Sequence, residues 1–352
     1  MLANFWLRAL HWGAVRNGAI GTALLALLIV VGSRNLQDFD WALAGYAFAS
    51  LFAVFGIIYR YSVWLTKPPT RKYWRRGWEL LWQGKSTALV LLSRAIVSRL
   101  VLQNFILRRG TVRYIAHMLI LSGCALAAAV TFPLVFGWLH FEQGALGPDP
   151  TYEVVFFGMK VQEIPLQGVF SWAIFHALII SSFLVIPGVA IALFRRMTDH
   201  GEIAIQRFTQ DLMPLILLFA IAFSGLLLWV SYEFLDGYFY SVLAQFHAIT
   251  VIGTLLYMPF GKLFHIFQRP ASIGVALYKA LNAAKEQAVC PVTHQPFAPK
   301  MQTEDLKGVL SELRFDYSPD QPGRCHWNEI SPKGRRLLIG AAHSRVRKGA
   351  FD

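Results

Sequence analysis

The sequence predicts an all-α membrane protein: six transmembrane helices in a bundle, an amphipathic cytoplasmic segment and a cytoplasmic C-terminal tail. Three observations lead there. Apolar residues make up 55% of the 352 and charged ones only 15%, against roughly 25% charged in soluble domains. The chain therefore has too little polar surface to cover itself in water. Six stretches reach the ~20 apolar residues that a bilayer core of about 30 Å requires. The third observation is charge: 33 Lys and Arg face 20 Asp and Glu, a formal +13, and the excess gathers in alternate connections, which sets an orientation. A positive charge confined to membrane-flanking segments is not the basic face of a nucleic-acid binder, and no nucleic acid is expected as a partner.

The predicted spans run over residues 16–33, 42–65, 112–139, 168–194, 212–232 and 239–264. The first follows Arg8 and Arg16 and lacks a clean Ala-x-Ala site behind it, so it reads as a retained span and not a signal peptide. The second ends in Tyr59-Arg60-Tyr61 and Trp64, the pattern of an aromatic belt with a snorkelling cation. Residues 66–111 hold ten basic residues and one acid, Glu79, and the stretch from 262 holds fourteen basic and eight acidic. Residues 140–167 hold four acids and only Lys160. This alternation places both termini in the cytoplasm of a bacterial or archaeal plasma membrane. Four regions follow: two leading transmembrane helices (1–65), a cytoplasmic amphipathic segment (66–111), a four-helix core (112–268) and a cytoplasmic tail (269–352).

Within 66–111, Trp74, Trp78 and Trp82 recur every fourth residue among Arg75, Arg76 and Lys85. That spacing suits a helix lying in the headgroups, on anionic lipid. Residues 86–107 are apolar but interrupted by Arg94 and Arg99, which argues against a seventh span. In the tail, residues 303–315 read as a short helix capped by Thr303, with Leu306, Val309, Leu310 and Leu313 on one stripe. Three cysteines, Cys124, Cys290 and Cys325, are too few for a disulfide framework or a four-thiolate iron–sulfur cluster. Cys290, His294, Cys325 and His326 fit no zinc spacing.

Histidines at membrane depth are functional candidates by default. His117 lies in the third span, His176 in the fourth, and His247 and His265 in the sixth, while His140 ends the third. On a continuous helix, the 18 residues from His247 to His265 return to the same face and cover about 27 Å. The orientation then matches depths in two pairs, His117 with His265 inside and His176 with His247 outside. Paired imidazoles in a helical bundle suit the axial positions of two haem irons. Without a Cys-x-x-Cys-His motif, the haems are b-type. Arg113, Lys262 and Arg269 are placed to meet haem propionates. Gly123, Cys124 and Gly225 are small enough to admit a macrocycle, or simply to pack helices. Zinc is a weaker reading, because it wants its ligands clustered.

The stretch QFHAITVIGTLLYMPFGKLFHIFQRP resembles the last span of the gamma subunit of respiratory nitrate reductases, a dihaem cytochrome b anchor. Its wider relatives include membrane subunits of heterodisulfide-reductase-like and sulfite-reductase-associated complexes. The shared features are a His-x17-His step and an ending matched here by Pro259 to His265. The resemblance implies a subunit that oxidises quinol near the outer haem and passes electrons to an iron–sulfur subunit docked on the cytoplasmic side. A catalytic subunit, of molybdopterin type in the nitrate reductase case, would lie beyond it. It also implies that His247 and His265 ligate the outer and inner haem and that His117 is the inner partner. The family places its remaining histidine ten residues after the position of His117, where this chain has Ala127. His176 or His140 takes that role. For the quinol site, Lys160, Glu163 and His140 are the polar groups near the outer surface. A transporter or a haem-free membrane anchor are the competing classes.

Overall fold

The computed structural model describes residues 11–83, 85–283, 285–315 and 325–349; Arg8, used above to flank the first span, lies outside them. The chain is mostly helical, and among the described residues six helices are long and apolar enough to cross a membrane: Trp12–Gly32, Trp41–Thr66, Thr111–Val135, Ala177–Thr198, Phe208–Phe234 and Tyr240–Tyr257. They follow the six predicted stretches in order. Two compact units form, one from residues 1–62 and 104–267, the other from 63–103 and 268–352. Residues 104–111 thus group with the spans and not with the segment before them.

In chain order the elements are α1 (Trp12–Gly32), α2 (Ala44–Thr66), α3 (Pro68–Gln83), α4 (Lys85–Ile96), α5 (Asn104–Leu107) and α6 (Thr111–Val135). Three strands come next: β1 (Leu139–Gln143), β2 (Thr151–Phe156) and β3 (Met159–Pro165). Then follow α7 (Val169–Phe175), α8 (Ala177–Thr198), α9 (His200–Ile205), α10 (Met213–Phe234), α11 (Tyr240–Tyr257), α12 (His265–Gln268) and α13 (Ala271–Asn282). The tail adds β4 (Gln287–Val289), β5 (Pro296–Pro299), α14 (Lys300–Glu312) and α15 (Pro332–Gly349).

In the first unit, α6 packs along α8, α8 on α10, and α10 on α11. The close approach of α6 to α8 depends on two glycines. A Cβ at Gly123 would lie 2.6 Å from Val185, and one at Gly188 would lie 2.9 Å from Ile120. Ser181 Oγ donates to the Gly123 carbonyl across the same seam, at 3.0 Å. Gly123 therefore serves helix packing, the blander of its two readings. Cys124 packs beside Val185, Val189 and Ala222. A second cluster of Ile29, Phe39, Ala47, Val135 and Phe136 ties α1 and α2 to the end of α6.

Three boundaries differ from the sequence reading. Residues 140–167, expected as a loop, form an antiparallel β1-β2-β3 meander. Its tight β2–β3 turn uses Phe157 and Gly158 at φ 51° and 73°, the left-handed pair that a two-residue hairpin turn requires. The fourth span starts late, because residues 169–175 make a separate helix and the chain turns at His176 (φ −98°, ψ 4°). The sixth span stops at Tyr257, seven residues short of 264, followed by a turn at 258–260 and a single tight turn over Lys262–Phe264. His247 and His265 do not share one continuous helix, so the same-face geometry expected of them does not apply. Proline interrupts helical hydrogen bonding, and Pro259 sits in this break. Yet Pro187 is carried inside α8, so proline alone does not account for it.

The second unit is built on α3, α13 and α14. Helices α3 and α13 pack together where Gly77 meets Gly274; a Cβ at Gly77 would lie 3.2 Å from the Gly274 Cα. Gly77 and Leu80 form the buried face of α3, while Trp78 is 47% and Trp82 81% exposed. Trp74 is half-buried, edge-on to Trp78 at 5.8 Å. The apolar run 86–107 is not one long helix: α4 ends at Ile96, and a wide turn over Val97–Val101 follows. Helix α14 starts at Lys300, three residues before Thr303. That side chain is buried and donates to the Lys300 carbonyl, so it does not cap the helix. The buried face of α14 is Thr303, Asp305 and Val309, and Leu306 and Leu313 are exposed.

Asp305 is the polar centre of this unit. Its carboxylate takes Arg76 Nη2 at 3.0 Å, Lys72 Nζ at 3.2 Å and the Tyr278 hydroxyl at 3.0 Å. Desolvation alone would raise its pKa, but the hydrogen bonds from Arg76, Lys72 and Tyr278 outweigh it and hold the carboxyl below the usual range. A depressed folded-state pKa gives stability above the unfolded pKa that is lost as pH falls through the folded one. Asp305→Asn should destabilise this unit by about 2–3 kcal/mol, less than for a fully buried pair because Arg76 is partly exposed. It should also flatten the loss of stability on acidification. Limited proteolysis of the tail against pH measures both, and an unchanged acid transition in the variant would rule the clamp out.

Candidate functional site

Three histidines of the first unit, His176, His247 and His265, are held in a common way. On α11, His247 Nδ1 lies 2.9 Å from Ser224 Oγ of α10. The Ser224 hydroxyl proton is engaged by the Ala220 carbonyl at 2.6 Å. A hydroxyl has one proton, so Ser224 accepts and His247 Nδ1 donates. The neutral ring then carries its lone pair on Nε2. At His265, Nδ1 lies 2.6 Å from the Lys262 carbonyl, and at His176 it lies 2.8 Å from the Trp172 carbonyl. A carbonyl only accepts, so Nδ1 donates in both rings, and in the neutral ring the lone pair is on Nε2. A second-shell bond of this kind fixes the tautomer of a metal-ligating imidazole.

The positions of these rings differ. His247 sits against small residues; a Cβ at Gly225 would lie 3.4 Å from its Cε1. His265 begins α12, directly after the Lys262–Phe264 turn. His176 stands at the junction of α7 and α8 and stacks on Trp172, ring centres 4.6 Å apart at 18°. Beside it opens a hollow of about 500 Å³ lined by Leu166, Val169, Ser171, Trp172, Phe175 and His176. His117 is half-buried on α6. Helix α11 packs chiefly on α10 and has few contacts with α6 and α8. Among the described residues no three His, Cys, Asp or Glu side chains gather to hold one metal ion; axial ligation of a haem uses two imidazoles per iron.

The cations expected at haem propionates have protein partners. Arg113 Nη2 lies 3.1 Å from Glu202 Oε1, an atom that Arg195 also approaches at 3.2 Å. Lys262 pairs with Asp211, which Arg196 meets at 3.5 Å. Asp211 lies in the first turns of the fifth span, which starts at Phe208, four residues before its predicted start.

No protein-family model matches this chain, and neither a characterised protein nor a solved structure matches it. What the chain does is therefore argued from its own residues.

His140 does not end the third span. Helix α6 stops at Val135, and His140 belongs to β1, where Nε2 lies 3.0 Å from Glu142 Oε1 and Nδ1 lies 3.9 Å from Asp38. The sheet register aligns His140, Val155 and Lys160 in one row, and Glu142, Glu153 and Glu163 in the row two along. The strands thus collect all three residues expected at a quinol site, with His140 and Lys160 two strands, or about 10 Å, apart. Lys160 is ion-paired with both Glu153 and Glu163. Those two hydrogen bonds raise its pKa, and Lys160 in turn holds the Glu163 carboxyl below its ordinary range.

In the tail, Cys290 is fully buried and accepts the Ser331 N–H at 3.2 Å. Burial pushes its thiol up, but hydrogen bonds from Ser331 and Thr293 prevail and bring it down to about 6. His326 Nδ1 accepts the Asn328 N–H at 3.1 Å and caps the short turn Trp327–Glu329.

Two features escaped the sequence reading: the Trp172–His176 stack with its hollow, and the Ser224–His247 bond. The first had a local signal, an aromatic residue one helical turn before a histidine. The second needed the register between two helices. In Lys160→Met, the Glu163 carboxyl should titrate higher, back towards its ordinary range. The pH midpoint of its side-chain carbon resonance in micelles checks this, and an unmoved midpoint would mean that the pair does not form.

Proposed function

We propose that this chain is the membrane cytochrome b subunit of a respiratory electron-transfer complex. It would hold two b-type haems and pass electrons between membrane quinol and an iron–sulfur or molybdenum oxidoreductase on the cytoplasmic side. The observation that carries the reading is the common lock on His176, His247 and His265. Three imidazoles in or beside apolar helices are each held with Nδ1 as donor and Nε2 as the lone-pair nitrogen, the state an iron ligand needs. The resemblance of residues 245–268 to the nitrate reductase gamma subunit adds to it, although here the His-x17-His step crosses a break. When bound, haem b supplies one-electron redox chemistry tuned by its axial imidazoles.

His117 with His265, and His247 with His176, would hold the two haems. Arg113 and Lys262 line the inner site through their carboxylate partners. At the outer surface the hollow beside His176 offers an apolar wall of Leu166, Val169, Trp172 and Phe175 to a quinol ring. Lys160, Glu163 and His140 on the sheet are the groups that would take or relay its protons. Of the three, His140 offers an imidazole as the relay, with Glu142 and Asp38 as its neighbours. Both termini would lie in the cytoplasm of a prokaryotic plasma membrane. Arg75 and the exposed Trp78 and Trp82 of α3 would rest on anionic lipid, and the second unit would receive the redox partner.

A discontinuous span at 257–265 is also a transporter feature, and that is the second reading. The reduced-minus-oxidised visible spectrum separates them: the purified chain should show b-type bands at two haems per protein, and their absence would end the cytochrome reading. His176→Met should remove one haem of the two, and His140→Met neither; the reverse would move the outer ligand to β1. Ser224→Ala should leave both haems bound at saturation but weaken retention of the outer one by roughly 10–100-fold. Haem-transfer rates to apomyoglobin measure this, and an unchanged rate would remove Ser224 from the site.

A further inference from the structure

Arg60 is a cation inside a membrane-spanning helix, six residues before α2 ends. Such a charge is costly at that depth unless it finds partners. The belt position read from the sequence has it snorkelling to the surface. Instead, its guanidinium reaches the break in the sixth span: Nη1 donates to the Pro259 carbonyl at 2.5 Å and to the Gly261 carbonyl at 3.2 Å. The guanidinium carbon also stands 4.2 Å from the centre of the Phe264 ring, within cation–π range.

The break is tightly built around these bonds. A Cβ at Gly56, one turn before Arg60, would lie 2.7 Å from Pro259. A Cβ at Gly261 would fall 2.1 Å from the Tyr257 ring. Phe264 is almost fully buried, packed with Ala53 and Ile57 of α2. Carbonyls released where a helix unwinds have no water to turn to in hydrocarbon, so the protein must supply donors. Pro187 shows that a proline by itself leaves a span of this chain continuous. At Pro259, unlike Pro187, an arginine stands against the freed carbonyls.

We infer that Arg60 holds the sixth span broken and thereby positions His265. The link is short. Arg60 fixes the Gly261 carbonyl and the Phe264 ring, which bracket the Lys262–Phe264 turn, and the Lys262 carbonyl in that turn fixes His265 Nδ1. Arg60 is thus a positioning residue, and its effect on the inner haem rests on the cytochrome reading above.

The test uses the full chain in lipid nanodiscs, with amide hydrogen exchange over 258–268 and the visible spectrum as separate readouts. Arg60→Met should speed exchange there about tenfold or more, the scale of one lost charge-assisted hydrogen bond, with the other spans unchanged. It should also lower haem content from two to one. Arg60→Lys should recover part of the protection, since an ammonium reaches one carbonyl. His265→Met should lose the same haem while keeping 258–264 protected. Parental exchange in Arg60→Met overturns the inference. If that variant loses protection throughout, Gly56→Ala decides: it keeps the arginine but presses on Pro259, and must loosen 258–268 alone, or the inference fails. A parent chain without haem would defeat the cytochrome reading, while the exchange pattern would still decide what Arg60 does to the break.

Discussion

Hydrocarbon offers no water to an unmet hydrogen-bonding group, and the local structure of the spans follows from that constraint. Several hydroxyls there turn back onto their own helices: Thr22 to the Gly18 carbonyl, Ser50 to Tyr46, Ser182 to Leu178 and Thr254 to Thr250. Two imidazoles beside the spans do the same, His176 and His265 bonding to carbonyls four and three residues earlier. Satisfying Nδ1 in this way leaves the proton-free nitrogen at the far side of the ring. A demand imposed by the solvent thus prepares a side chain for ligation. The same demand recruits Arg60 to the carbonyls of a broken helix. Structure and candidate chemistry share one cause.

Charge is arranged by a related argument. Basic residues near the ends of the spans meet acids there: Arg113, Arg195 and Arg196 converge on Glu202, and Arg196 and Lys262 on Asp211. In the second unit three groups converge on Asp305, which joins α3, α13 and α14. A positive excess that the composition shows only as a sum is, at residue level, a set of small clusters around single carboxylates. Each cluster ties together segments distant in sequence, as Arg76 and Asp305 show. What remains outside such clusters, Arg75 among it, is what lipid or a partner surface can meet.

The six spans were legible because hydropathy sums over ~20 residues, and such sums survive local error. The boundaries that moved did so for reasons that composition cannot carry. The sheet at 139–165 had a signal, two β-rich runs around Phe157-Gly158, which the expectation of a loop between spans obscured. The end of the sixth span had only an ambiguous one: Pro259 and Gly261 stand inside an apolar pattern that runs on through QFHAITVIGTLLYMPFGKLFH, and the contact with Arg60 is 199 residues away. The histidines were legible as residues at or near the spans, but His176 and His265 lie just outside the helices expected to contain them. Their facing was not legible, because the calculation assumed one continuous helix from His247 to His265.

That assumption matters most for how the two halves of the candidate site compare. His247 is locked by a hydroxyl on a neighbouring helix, so its tautomer depends on the packing of α10 against α11 through Ser224 and Gly225. His265 is locked by its own turn, which depends in turn on an arginine from α2. His176 is locked by its own helix and by the ring of Trp172, at the mouth of an open hollow. Of the three, the first two are fixed by tertiary contacts and the third by local structure alone. A locally held ring beside an open hollow can adjust with least disturbance to the bundle. For the proposed electron-transfer role, that is the end at which quinol would arrive and leave, whereas the other two rings would need only to stay where they are.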